Sequence, residues 1–168
     1  MIRCVPPPQG NSMRSAYGSS RRNGLDAEVF WLKPDYDMDQ HLRGIDIAAE
    51  LGAKNILCVS SEPDMAVTAD WLAALCRHAE GPGIRVAREF GVFTEVRNLK
   101  MAMGGRNAGA HPLAAWLIDP IHVDRSGTTV AEIAAVPREL LPYAQFCDAS
   151  AIRPDPNDFA AVIEDAID

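Results

Sequence analysis

From Leu25 onward the chain alternates short apolar runs with longer stretches of helical periodicity, and that alternation leaves few folds open. "LDAEVFWL" (25–32) mixes β-branched, aromatic and aliphatic residues and ends before Pro34, as a strand does. "YDMDQHLRGIDIAAELGA" then places Leu42, Ile45, Ala48, Ala49 and Leu51 at helical spacing, with Asp37 or Asp39 to cap its start and Gly52 to stop it. "KNILCVSS" (54–61) is a continuous apolar run, the kind expected of a strand covered on both faces. A helix from Asp64, a strand in "IRVAREFGV" and a short helix in "TEVRNLKMAM", capped by Thr94 and stopped at Gly104, follow in turn. "LAAWLIDPIH" reads as a strand, "TTVAEIAAVPRELL" as a helix broken at Pro137, "PYAQFCDA" as a fifth strand, and "NDFAAVIEDAI" as a terminal helix begun at Asn157. Strands separated by helices run parallel, joined by right-handed crossovers. The expectation is an α/β fold with about five parallel strands. Periodicity does not choose between an open doubly wound sheet and part of a closed barrel.

The alternation sets the domain limits. Residues 25–150 form the expected domain and residues 151–168 a C-terminal tail with its helix. Residues 1–24, including "VPPPQGNSMRSAYGSSRRNG", are rich in Pro, Gly, Ser and Arg and have too few large apolar groups to offset their ordering entropy. They read as a loosely ordered leader. Sixteen basic against twenty-three acidic residues give a formal charge of −7, which opposes a nucleic-acid or anionic-membrane partner because both need a positive field. No apolar run reaches the roughly 18 residues of a membrane helix, and the first residues lack a signal-like apolar stretch, so a cytoplasmic location is expected. Cys4, Cys58, Cys76 and Cys147 are widely spaced without a metal-binding pattern and read as reduced structural thiols.

Polar residues gather where three successive strands end: Glu89, then Asp119 and His122, then Gln145 and Asp148. In parallel α/β folds that edge is where ligands bind. Asp119 lies between Ile118 and Pro120, where a buried carboxylate needs a partner, a cation being one solution. Gln145 offers a neutral oxygen suited to a hard divalent ion. A dication chelated by an α-hydroxy ketone polarises its carbonyl and stabilises the enediolate formed when a carboxylate removes the α-proton. Glu89 is placed to act as ligand and base together. His122 and Arg125 are placed to hold far hydroxyls or a phosphate, Arg125 through its planar fork. "RSGTT" (125–129) offers either an anion site at a helix start or a simple cap by Thr128 or Thr129. No Gly-x-Gly-x-x-Gly follows a strand and no Gly-x-x-x-x-Gly-Lys loop is present, so no nucleotide cofactor is expected.

"AAELGAKNILCV", "GIRVAREF", "LIDPIHVDRSGTT" and "YAQFCDA" occur in an order that resembles the sugar phosphate isomerase/epimerase family, the xylose isomerase-like TIM barrels, over roughly Leu25 to Ala149. The resemblance implies a partial (β/α) TIM-type barrel with a divalent ion, Mn²⁺ or Mg²⁺, held by Glu89, Asp119 and Gln145. It implies His122 as a catalytic and substrate-contacting residue and Arg125 as a further substrate contact. The chain departs from the family in length, since a closed (β/α)₈ barrel takes about 250 residues. By position it starts near the family's second strand and stops before the last two. The family's final glutamate ligand therefore has no counterpart, and Glu164 does not match it.

Three expectations follow. The first is metal-dependent isomerisation or epimerisation of a keto sugar or sugar phosphate. The second is dehydration of a cyclic hydroxy ketone such as 3-dehydroshikimate, suggested by Gln at position 145. The third is a non-catalytic barrel remnant acting as an interaction module, with a homo-oligomer covering the open sheet edges.

Overall fold

A computed structural model of the chain describes residues 27–35, 37–104, 111–146 and 150–167. The leader, together with Cys147, Asp148 and Ala149, lies outside them. Among the described residues the order is β1 (Ala27–Leu32), α1 (Met38–Leu51), β2 (Asn55–Ser60), α2 (Met65–His78), β3 (Arg85–Arg88), α3 (Leu99–Gly104) and β4 (Ala114–Trp116). α4 (Pro120–Ser126), α5 (Val130–Ala134), a 3₁₀ turn (Arg138–Leu140) and α6 (Phe159–Ile167) complete it.

The helices start and stop where side chains satisfy the free backbone groups at their ends. Asp37 accepts from the Gln40 N–H and caps α1, while Gly52 closes that helix in the left-handed conformation at φ 77°. Asp64 caps α2 by accepting from Ala66 N–H at 2.8 Å. Thr94 does not cap α3. Its hydroxyl lies 3.0 Å from the carbonyls of both Gly91 and Val96 and accepts from the Val96 N–H, so it locks a loop, and Asn98 caps α3 through Met101 N–H instead. The strand expected from Leu113 onward ends at Trp116, because Asp119 and Pro120 set up the cap and first position of α4.

The sheet is parallel throughout, in the order β1-β2-β3-β4. Register pairs place Phe30 beside Cys58, Cys58 beside Arg88, and Arg88 beside Trp116, all on one face. Phe30, Leu32, Ile56, Cys58 and Val86 on that face pack against Ile45 and Ala48 of α1 and Leu72, Leu75 and Cys76 of α2 in one core cluster. Both crossover helices thus cover the same side, which is the barrel arrangement and decides against a doubly wound sheet. The other face carries Leu57, Ala87, Ala115 and Leu117, packed with Tyr143. Cys58 and Cys76 are free, buried thiols.

The fifth strand is not formed as expected. "PYAQFCDA" contributes a single bridge, Ala144 to Ile118, with Gln145 N–H donating to Ile118 C=O at 3.0 Å. Pro142 supplies no donor, and the 3₁₀ turn just before it delivers the chain to the sheet late, so among the described residues of this segment one pairs. Among the described residues there are therefore four strands and a bridge. No helix among them is long and apolar enough to cross a membrane.

Candidate metal centre

Alternation along the strands decides which side chains meet. Ala87 faces the inner side, so Arg88 turns to the helix side and Glu89 returns to the inner side, its N–H extending the ladder to Cys58 C=O at 2.9 Å. Arg88 stacks on the Trp116 ring, 4.6 Å from its centroid, on the far face of the sheet. The nearest cation in sequence is thus removed from Glu89. In β4 the same alternation sends Leu117 inward and Asp119 after it.

Asp119 has two tasks. Its Oδ1 accepts from Ile121 N–H at 3.0 Å and starts α4, which leaves Oδ2 facing the cluster. His122, one turn into α4, brings Nε2 to 3.7 Å from Glu89 Oε1. Ligand atoms of Glu89, Asp119 and His122 all lie within 4.8 Å of one another. Each of the three residues is less than a tenth exposed. Gln145, set in place by the bridge at Ala144, completes the group. Turned with its NH₂ toward the carboxylates, its amide donates to Glu89 Oε1 at 3.3 Å and to Asp119 Oδ2 at 3.0 Å. Turned the other way, it presents its carbonyl oxygen at the same point.

The electrostatics follow from burial. Desolvation, with the negative charge of Asp119 adding to it, pushes the Glu89 carboxyl up to about 8. Burial also holds His122 below the usual imidazole range, opposed by the charges of Asp119 and Asp165. Both shifts favour neutral forms, so the 3.7 Å contact between them is a meeting of neutral groups near pH 7 rather than a charged pair. Two buried carboxylates, an imidazole and an amide oxygen converging without a positive side chain among them are a donor set that fits a divalent cation. The imidazole extends the choice from hard Mg²⁺ toward Mn²⁺ and Zn²⁺.

The residues read from the sequence as ligands, Glu89, Asp119 and Gln145, are brought together, and His122 joins them as a fourth donor. Its spacing from the helix-capping Asp119 was the available signal, since one helical turn returns it to the same side. Arg125 goes elsewhere. Its Nε and Nη2 donate to Asp165 at 2.7 and 2.9 Å, Nη2 also reaches Ser150 C=O, and Nη1 pairs with Asp124. The guanidinium expected to meet substrate is thus taken up in fastening α6. Replacing Arg125 with alanine is expected to raise amide hydrogen exchange across α6 selectively, leaving β3 and β4 protected. Unchanged exchange in α6 would show that this contact does not hold it. Of the two readings of "RSGTT", the structure contains the cap: Thr129 and Glu132 satisfy each other's N–H groups in a capping box at the start of α5.

Two aromatic residues beside the cluster were not singled out from the sequence. Phe93 stands with its ring centroid 4.9 Å from that of His122, and Trp31 lies 6.0 Å from Phe93. Phe93 sits in a loop without periodicity, so nothing in the pattern marked it.

No family model matches the chain, and no curated protein matches it in sequence. Solved structures do. A xylose isomerase-like TIM barrel/4-hydroxyphenylpyruvate dioxygenase fusion protein superposes with a TM-score of 0.67 at 19% identity, over 80% of this chain and 23% of that one. The IolI protein, crystallised with a bound zinc atom, superposes with a TM-score of 0.66 at 16% identity, over 76% of this chain and 52% of its own. The chain thus spans about a quarter of the length of the first of these proteins and about half of the second. At such identity the likeness establishes the fold alone, a partial α/β barrel.

Proposed function

We propose that this chain is a metal-dependent isomerase or epimerase that moves a proton next to the carbonyl of a keto sugar through an enediolate. The observation that supports this most is the convergence of Glu89, Asp119 and His122 within 4.8 Å, with the Gln145 amide, beyond the carboxyl ends of parallel strands. Asp119, Gln145 and Glu89 are the residues that would hold the ion, leaving the His122 imidazole beside them. A divalent cation there supplies Lewis acidity, polarising a carbonyl and stabilising the negative charge that develops on its oxygen. Glu89 takes the α-proton. Burial pushes the metal-free Glu89 carboxyl up to about 8, and a dication beside it would favour the ionised form that takes the proton and then returns it to the neighbouring carbon. His122, facing Glu89 and held neutral by its burial, is placed to relay a proton to a substrate oxygen.

Proton exchange with solvent tests this without knowledge of the final product. In D₂O with Mn²⁺ or Mg²⁺, deuterium is expected to enter the carbon beside the carbonyl of at least one of D-fructose, D-xylulose or D-tagatose, and Glu89→Gln is expected to remove that exchange. Exchange that survives Glu89→Gln would overturn the assignment of the base. The position of Gln145 keeps one further reading open: the same proton abstraction from a cyclic β-hydroxy ketone, followed by loss of the hydroxyl, is a dehydration. A rise in ultraviolet absorbance with 3-dehydroshikimate would favour that lyase over the isomerase.

A further inference from the structure

α4 brings two groups to the centre and takes its own anchorage from elsewhere. Asp119 caps its start, His122 follows one turn on and Arg125 one turn beyond, so the three positions lie along one side of a seven-residue helix. A helix this short is marginal by itself, and its orientation has to come from tertiary contacts. Ile121 is buried, and Val123 packs in the apolar cluster that holds Trp116 and Val136. Apolar burial is non-directional, so it keeps α4 against the sheet without fixing its rotation. The directional contacts are polar, and they run to the segment that carries α6.

Two charged forks meet at α4, and they differ in burial. Arg125 Nε and Nη2 donate to the two oxygens of Asp165 at 2.7 and 2.9 Å, and these side chains are only 7% and 10% exposed. Arg125 Nη2 also donates to Ser150 C=O at 2.7 Å. Arg153 in turn donates to both oxygens of Asp124, at 3.0 and 2.6 Å, in a pair 62% and 46% exposed. An exposed pair contributes little, whereas a buried bidentate pair is directional and strongly destabilising to break. Among the described residues of α6, Val162 is the one buried apolar side chain, so the inner fork is the tie that sets direction. Asp165 also lies near enough for its charge to act on the His122 imidazole.

We infer that Asp165 is a positioning residue: by holding the Arg125 fork it fixes the rotation of α4, and so keeps the His122 ring against Glu89 and Phe93. This rests on the proposed function for its purpose, because His122 is the group placed there to relay a proton. The placement itself is read without metal. In metal-free protein, NOEs between the His122 and Phe93 rings, whose centroids are 4.9 Å apart, are expected in the unaltered chain. They are expected to be lost in Asp165→Asn and in Arg125→Lys, which keep side-chain bulk but not the charged fork. Arg153→Ala, which breaks only the outer fork, is expected to keep them. Mn²⁺ affinity gives the second measurement, because Asp119 starts the same helix. Arg125→Ala and Asp165→Ala are each expected to weaken it about tenfold, the low end for residues that orient ligands. The double variant is expected to lose about tenfold again rather than a hundredfold in total, because both changes remove one tie. Ring contacts that survive Asp165→Asn, an equal loss of them in Arg153→Ala, or Mn²⁺ losses that multiply in the double variant would overturn the positioning role. The two proposals fail separately. A chain that takes up no Mn²⁺ yet loses the ring contacts in Asp165→Asn defeats the isomerase and supports the positioning role; one that takes up Mn²⁺ and keeps those contacts in that variant defeats the positioning role alone.

Discussion

Titrated with Mn²⁺, the Asp119→Ala protein is expected to bind at least a hundredfold more weakly than the unaltered chain. Residues that merely orient metal ligands are worth about 10–100-fold in affinity, and Asp119 is placed as a ligand itself. Its removal also frees the Gln145 amide from one of the two groups that position it. The alanine carries a second defect, loss of the cap at the start of α4, worth about 1 kcal/mol of stability. Asp119→Asn separates the two, because an amide oxygen still accepts from Ile121 N–H while the charge is gone. Affinity should then fall with little change in melting temperature. Calorimetric binding that is unaltered in Asp119→Ala would remove the centre altogether.

The second large effect is a dependence of stability on pH. Burial, with Asp119 adding to it, raises the Glu89 carboxyl to about 8 from an ordinary value of 4.5. Between those values the folded protein holds a proton that the unfolded chain has released, so stability falls as pH rises through that window and levels off above it. Each pKa unit corresponds to about 1.4 kcal/mol, which makes the metal-free loss on the order of a few kcal/mol between pH 5 and 8. Urea denaturation of metal-free protein across that range should show the decline, and Glu89→Gln, which has no proton to lose, should flatten it. A divalent ion should oppose the decline at pH 8 by binding the ionised form, contributing about 2.7 kcal/mol at a hundredfold excess over its dissociation constant. An identical pH profile in the glutamine variant would show that Glu89 does not titrate as its burial requires.

Much of this architecture is legible in the sequence because it is set by local chemistry. Asp37, Asp64 and Gly52 announce helix ends that the structure contains, and Glu89 and Asp119 announce themselves as charges at the ends of apolar runs. What local pattern cannot carry is direction and distance. The choice between barrel and doubly wound sheet depends on which side α1 and α2 cover, a matter of crossover geometry that one periodicity fits equally well. Arg125 has a spacing suited to substrate, yet its partner is Asp165, 40 residues away on a helix whose docking no short-range signal reveals. Thr94 is an ordinary capping residue type, diverted because the Gly91–Val96 loop offered it backbone partners first. Among the described residues the fifth strand-like segment pairs at one position, Ala144, because Pro142 before it has no donor to give the ladder.

The Gln145 amide gives the centre its own placeholder. Rotation about one terminal side-chain bond exchanges a hydrogen-bonding NH₂ for a coordinating oxygen, with no backbone shift required. A pocket built this way would keep its shape before loading, and taking up an ion would be a side-chain event, separable from folding.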